Sequence, residues 1–71
     1  VLTGHTDVVP LGAAPWRVPP FAGEVADGRI YGRGTCDMKG ALAAMTAAVE
    51  RLASQPRRRA PVLLVFTAGE E

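Results

Sequence analysis

Cysteine is almost absent from this chain. With the single Cys36, no internal disulfide framework can form. A chain of 71 residues buries little core unless disulfides or a structural metal hold it together, and the first of these is excluded. A lone cysteine also suits a reducing compartment, so we expect a cytoplasmic protein.

A large excess of charge of one sign is lacking as well. The formal net charge is +1, so neither nucleic acid nor an anionic membrane is expected as a partner. The short basic run Arg57, Arg58 and Arg59 is interpreted as a solvated loop, because a nucleic-acid patch needs more charge and interleaved aromatics. No apolar run approaches the roughly 18 to 20 residues of a membrane span, and no signal peptide is visible.

The residues at both ends of the chain are those expected of a segment taken from within a longer protein. Val1 opens an apolar stretch without an initiator methionine, and Glu70 and Glu71 follow directly on another apolar stretch. We therefore expect a fragment of a larger protein.

Turn residues and short apolar runs predict three strands and a loop. Residues 1–4 read as the end of a buried strand, and the proline-rich residues 10–20 as a surface loop. Residues 23–26 and 29–31 flank Asp27-Gly28, a pair that tolerates positive φ and favours a hairpin.

A helix and a last strand complete the pattern. From about Met38 to Ser54 the chain is rich in Ala, Leu and Met, and Leu42, Met45 and Val49 recur on one helical face. Residues 62–66 are an unbroken apolar run, typical of a strand buried on both faces. Strand, excursion, helix and strand form a βαβ unit, so we predict an α/β fold with parallel outer strands.

Residues that can bind metal stand at the ends of these elements. His5 and Asp7 follow the first strand, Asp37 precedes the helix, and Glu70 and Glu71 follow the last strand. In open α/β sheets, ligands bind beyond the carboxyl ends of the strands. The sequence therefore predicts that these five side chains converge at one edge of the sheet.

Each candidate also has a plain structural interpretation. His5 could be a surface histidine, Asp37 could cap the helix, and Glu70-Glu71 could be a solvated loop. His5 and Asp7, spaced by two, share one face of a strand, so Asp7 could accept the spare imidazole N–H. Cys36 has no second cysteine nearby and is expected to be a small buried residue instead of a ligand.

The ordered set of motifs resembles a known family of metallohydrolases. The family includes acetylornithine deacetylase, succinyl-diaminopimelate desuccinylase, aminoacylases and glutamate-type carboxypeptidases. The resemblance covers nearly the whole chain and is carried by residues 4–10 (GHTDVVP), Trp16, 20–21 (PF), 27–34 (DGRIYGRG), 37–40 (DMKG) and 66–71 (FTAGEE). It departs at Gly69, where the family often has an acid.

The resemblance implies a role for each candidate residue. His5 resembles a ligand of one zinc, and Asp7 the aspartate that orients this histidine. Asp37 resembles the carboxylate that bridges both metals. Glu70 resembles the general base that activates water, and Glu71 a ligand of the second zinc. Two Zn²⁺ ions per site are implied, and such ligands also suit Co²⁺ or Mn²⁺.

The fold and the activity follow from the same resemblance. Residues 1–71 are expected to be part of a zinc-exopeptidase-like catalytic domain, a parallel-rich sheet flanked by helices with a hairpin insertion. A further acid ligand, a further histidine ligand and a dimerisation domain are expected elsewhere in the parent, which the resemblance implies is a homodimer.

The implied reaction is metal-dependent hydrolysis of an amide in an N-acyl amino acid. N-acetylornithine deacetylation is the first choice, because residues 34–40 (GTCDMKG) look most like that branch. Succinyl-diaminopimelate desuccinylation and dipeptidase or carboxypeptidase activity are alternatives within the family. A truncated, non-catalytic relative is the alternative of another class.

Overall fold

The computed structural model describes residues 1–56 and 61–71, and its elements follow the predicted order. The predicted solvated loop at Arg57, Arg58 and Arg59 lies outside the described residues. The elements are strand β1 (Leu2–His5), hairpin strands β2 (Glu24–Ala26) and β3 (Arg29–Tyr31), a wide helical turn (Thr35–Lys39), helix α1 (Gly40–Ala53) and strand β4 (Leu64–Thr67).

Strands β1 and β4 pair in parallel, as the βαβ pattern predicted. Leu2 stands opposite Leu64, and His5 stands opposite Thr67. The pairing extends one residue further, because the backbone N–H of Thr6 donates to the carbonyl of Thr67 at 2.8 Å. Both strands therefore end at the same edge, and the chain has a mixed α/β fold.

Strands β2 and β3 form the predicted antiparallel hairpin. Ala26 pairs with Arg29 across the turn. Asp27 and Gly28 have φ values of 53° and 72°, the left-handed region that a tight two-residue hairpin turn requires. The hairpin is thus formed by local turn chemistry, and nearly all of its side chains are exposed.

Helix α1 begins at Gly40, two residues later than predicted. The preceding turn is wider than a helical turn, since the N–H of Lys39 donates to the carbonyl of Gly34 at 2.8 Å and that of Gly40 donates to Thr35. The structure also excludes Asp37 as the helix cap: Lys39 holds that position, and no side chain caps the helix. The backbone of Asp37 is non-helical, with φ −127° and ψ 96°.

The chain buries very little of itself. Among the described residues only His5, Gly34 and Leu42 are buried, and His5 and Leu42 are each 7 % exposed. The radius of gyration is 15.3 Å, whereas a compact domain of this length has about 11 Å. A histidine is therefore as well covered as the most buried apolar side chain.

The expectation that β4 is buried on both faces is wrong for this structure. Val65 and Phe66 remain 37 % and 42 % exposed. Within the described part of the chain β4 pairs only with β1, and helix α1 packs against β1 and the wide turn that precedes the helix. β4 is therefore an apolar strand that the other described residues leave largely exposed.

Candidate metal centre

The five predicted site residues do lie together at one edge of the sheet. His5 is the last residue of β1, and Asp7 follows it by two positions. Asp37 is brought in by the wide turn before α1, while Glu70 and Glu71 come just after β4. The parallel pairing of β1 and β4 is what gathers residues more than sixty positions apart.

The imidazole of His5 stands at the middle of this group. Its Nε2 lies 3.0 Å from Asp37 Oδ1, 3.4 Å from Glu70 Oε2 and 4.0 Å from Glu71 Oε1. Its Nδ1 lies 3.0 Å from the backbone carbonyl oxygen of Asp7, which can only accept a hydrogen bond. This contact leaves Nδ1 as the donor and points Nε2 toward the carboxylates.

The electrostatics of the group are unbalanced. Burial of His5 opposes its protonation, but the hydrogen bond with Asp37, the carbonyl of Asp7 and the negative charge of Glu70 together raise the pKa of His5. Burial, followed by repulsion from Asp37 and Glu70, raises the pKa of Glu71. The group therefore carries more negative charge than one imidazolium neutralises, which is the setting that a bound cation relieves.

Three of these residues meet the spacing of a metal site. His5, Asp37 and Glu71 each offer one ligand atom, and the three atoms all lie within 4.8 Å of one another. Ligand atoms about 2.0 to 2.1 Å from a tetrahedral zinc stand roughly 3.3 Å apart. His5 Nε2 lies 3.0 Å from Asp37 Oδ1 and 4.0 Å from Glu71 Oε1, on either side of that separation. One imidazole nitrogen with carboxylate oxygens is also a donor set that divalent transition metals bind.

Asp7 is placed differently from the expectation. Its carboxylate oxygen Oδ1 is 3.5 Å from His5 Nδ1, longer than the contact of Nδ1 with the Asp7 backbone carbonyl. Its two carboxylate oxygens instead accept the backbone N–H groups of Glu70 and Glu71, at 3.2 Å and 2.7 Å. The N–H of Glu71 is the main reason that the pKa of Asp7 falls to about 2.

Two further residues, Lys39 and Met38, support the group, and neither was predicted as a site residue from the sequence. Lys39 Nζ donates to the backbone carbonyl of Thr6, between His5 and Asp7. Met38 Sδ accepts the backbone N–H of His5 at 3.4 Å. Both belong to the DMKG motif, so the motif itself was the available signal.

Two glycines permit the close packing around these residues. A Cβ on Gly4 would lie 2.6 Å from Leu42 Cδ2 and 2.9 Å from Met38 Cε. Gly34 has φ 85°, and a Cβ there would lie 2.7 Å from Val8 Cγ1. Each glycine therefore marks a place where an element must approach the site segment closely.

The proline-rich loop is held by Arg33, which lies two residues before the wide turn. Its guanidinium lies 5.0 Å from the ring centroid of Trp16, and its Nη2 donates to the carbonyl of Pro10 at 3.3 Å. Its backbone N–H donates to the carbonyl of Pro20 at 2.8 Å.

The expected burial of Cys36 is wrong, since its side chain is exposed, and Cys36 contributes no atom to the ligand group.

Comparison with known proteins identifies the family. The whole chain, residues 1–71, matches the model of peptidase family M20/M25/M40. The chain belongs to this family. No solved structure gives a significant match.

The curated relatives share a name that refines the comparison. The chain is 54% identical over 68 residues to a succinyl-diaminopimelate desuccinylase of Granulibacter bethesdensis, covering 96% of the chain and 17% of that protein. It is 48% identical over 73 residues to one of Methylococcus capsulatus, covering 100% and 19%, and 50% identical over 70 residues to one of Acinetobacter baumannii, covering 96% and 18%. The chain thus spans less than a fifth of these relatives' length.

These names do not support the preference for N-acetylornithine deacetylation, and they agree with the desuccinylase alternative.

Within the described residues, no helix is long and apolar enough to cross a membrane.

Proposed function

We propose that the full-length protein carrying this chain is a metal-dependent amidohydrolase that removes the succinyl group from succinyl-diaminopimelate. The observation that carries the proposal is the convergence of His5, Asp37 and Glu71 on one position, with Glu70 beside them. The family match supports hydrolysis, and the names of the relatives favour this substrate over the others considered.

The residues divide the work by position. His5, Asp37 and Glu71 would hold metal, with Asp37 the shared ligand if two ions bind. Two divalent cations, Zn²⁺ or alternatively Co²⁺ or Mn²⁺, would polarise the amide carbonyl and lower the pKa of water when bound. His5 is the only histidine of the chain, so the second histidine that the resemblance implies must come from elsewhere in the parent.

Glu70 is the proposed proton carrier. Its carboxylate stands beside the group, 3.4 Å from His5 Nε2, but outside the three residues whose ligand atoms cluster. It would take a proton from the attacking water and then pass it to the departing nitrogen as the amide C–N bond breaks. The products are succinate and a free amine.

The proposal is tested with purified full-length protein and three substrates. Succinyl-diaminopimelate, N-acetylornithine and a dipeptide are assayed with added zinc or cobalt, and again after chelation. We expect the highest kcat/KM for succinyl-diaminopimelate and loss of turnover with the chelator. A preference for either other substrate would change the assignment within the family, and no metal-dependent amide cleavage would leave the non-catalytic alternative.

The 71-residue piece by itself is proposed to be inactive and to bind zinc weakly, because it carries one imidazole and an uncovered sheet. Tight stoichiometric zinc binding to this peptide in calorimetry would contradict that proposal. A cytoplasmic location is proposed from the lone Cys36. A homodimeric parent is proposed on the resemblance, and light scattering of the full-length protein tests it.

A further inference from the structure

Asp7 makes its strongest contacts away from the histidine that the resemblance pairs it with. Its Oδ2 accepts the N–H of Glu71 at 2.7 Å, and its Oδ1 accepts the N–H of Glu70 at 3.2 Å. The corresponding distance to His5 Nδ1 is 3.5 Å. The carboxylate of Asp7 therefore bridges from the end of β1 to the segment that follows β4.

The segment after β4 needs such an attachment. Strand pairing ends at Thr67, and Gly69 takes a left-handed φ of 99°. The carboxylates of Glu70 and Glu71 then lie with that of Asp37 around the imidazole of His5, so their like charges repel. Hydrogen bonds from their backbone N–H groups to a fixed carboxylate oppose that repulsion without using either glutamate side chain.

We propose that Asp7 is a positioning residue for Glu70 and Glu71. It holds the backbone of both residues, so that the Glu71 side chain lies with the ligand atoms of His5 and Asp37 and the Glu70 side chain lies beside them. The inference rests on the proposed function for the roles of the two glutamates, but the attachment itself does not. Only a carboxylate offers two acceptor oxygens to two neighbouring donors, and asparagine would place an NH₂ against one of them.

His5 does not depend on the carboxylate in the same way. Its Nδ1 is held by the backbone carbonyl of Asp7, which any residue at this position supplies. Replacing Asp7 by asparagine thus separates the two functions: it removes one acceptor from the Glu70–Glu71 segment and leaves the carbonyl that orients His5.

The test is amide hydrogen exchange of the metal-free full-length protein, comparing wild type with Asp7→Asn. In wild type the amides of Glu70 and Glu71 should exchange at least about tenfold more slowly than in an unstructured peptide, and the substitution should remove most of that protection. Amides of the β1–β4 ladder, such as that of Leu2, should be unchanged. In the metal-loaded enzyme kcat should fall about 10- to 100-fold, with KM within about twofold.

Asp27→Asn is the matched control, because it makes the same chemical change at the exposed hairpin turn and should alter neither measurement. Exchange of Glu70 and Glu71 at the unstructured rate in wild type would overturn the inference, and this measurement needs no variant. Unchanged protection in a folded Asp7→Asn protein would overturn it as well. Protected amides in a protein that hydrolyses no amide would instead remove the proposed function and leave the attachment standing.

Discussion

The hairpin and the metal centre differ in how far along the sequence their contacts reach. In the hairpin, Ala26 pairs with Arg29, and the turn between them sets the register. In the centre, His5 contacts a residue 32 positions away and Asp7 a residue 64 positions away. The first region forms from local chemistry, whereas the second exists only after β1, α1 and β4 have come together.

The comparison also separates structure that supports chemistry from structure that does not. The centre contains His5, one of the three buried residues among those described, while the residues of the hairpin strands are nearly all exposed. Matched substitutions in the two regions should therefore differ most in their effect on activity: those in the centre should lower it, and those in the hairpin should not.

The largest difference is expected between glutamates. Glu70→Gln in the full-length protein should lower kcat about 10²- to 10⁴-fold, because it removes the proposed general base. Its metal content, measured by elemental analysis, should stay at the wild-type level, since Glu70 is outside the clustered ligand atoms. Glu71→Gln should instead lower the metal content.

The hairpin supplies the control for this pair. Glu24→Gln makes the same change on the exposed strand β2 and should alter kcat by no more than about twofold. A wild-type kcat in Glu70→Gln, or an equal loss in Glu24→Gln, would remove the distinction between the regions.

A pair of glycines tests the packing that the centre requires. Gly34→Ala should lower the free energy of unfolding by about 2–4 kcal/mol, because it combines a left-handed backbone with a Cβ placed 2.7 Å from Val8 Cγ1. Gly28→Ala in the hairpin turn should cost only about 1–2 kcal/mol, since nothing lies within 4 Å of its Cβ position. Denaturant unfolding of the full-length protein measures both, and equal losses would mean that Val8 yields without cost.

Lys39 tests whether the centre depends on a residue that binds no metal. Lys39→Met keeps the aliphatic stem but removes the bond from Nζ to the carbonyl of Thr6. We expect about a tenfold loss of metal affinity, the lower end for groups that orient ligands, measured by competition with a chromogenic chelator. Arg29→Met removes an exposed cation from β3 and should leave the affinity unchanged; an equal loss there would point to overall charge as the cause.

The local elements were predictable from the sequence to within a few residues. Asp27-Gly28 specified the hairpin, and the parallel β1–β4 pairing followed from the βαβ order. The start of α1 was not predictable, because the wide turn depends on Gly34 approaching Val8 in a different part of the chain. The prediction that β4 is buried was wrong for a related reason. An apolar sequence indicates that a strand can be buried, but the described residues provide no second layer that covers β4.

The centre was predictable in membership but not in its contacts. Strand ends and motif order brought together all five residues, and their metal and proton roles remain predictions. Helix-cap preference favoured Asp37 as a cap, yet its carboxylate faces His5. The carbonyl that orients His5 and the backbone that Asp7 holds carry no signature in side-chain identity, so no motif could reveal them.

The smallest effect is expected at the tip of the hairpin. Asp27→Asn should change the free energy of unfolding by less than about 0.5 kcal/mol, since asparagine also adopts the left-handed φ of 53° found there. Asp27→Val should cost about 1–2 kcal/mol, because a β-branched side chain strongly disfavours that backbone conformation. Neither should change kcat or metal affinity. If Asp27→Val weakened metal binding as much as Lys39→Met, the hairpin would be coupled to the centre, and the separation between local and long-range regions would not hold.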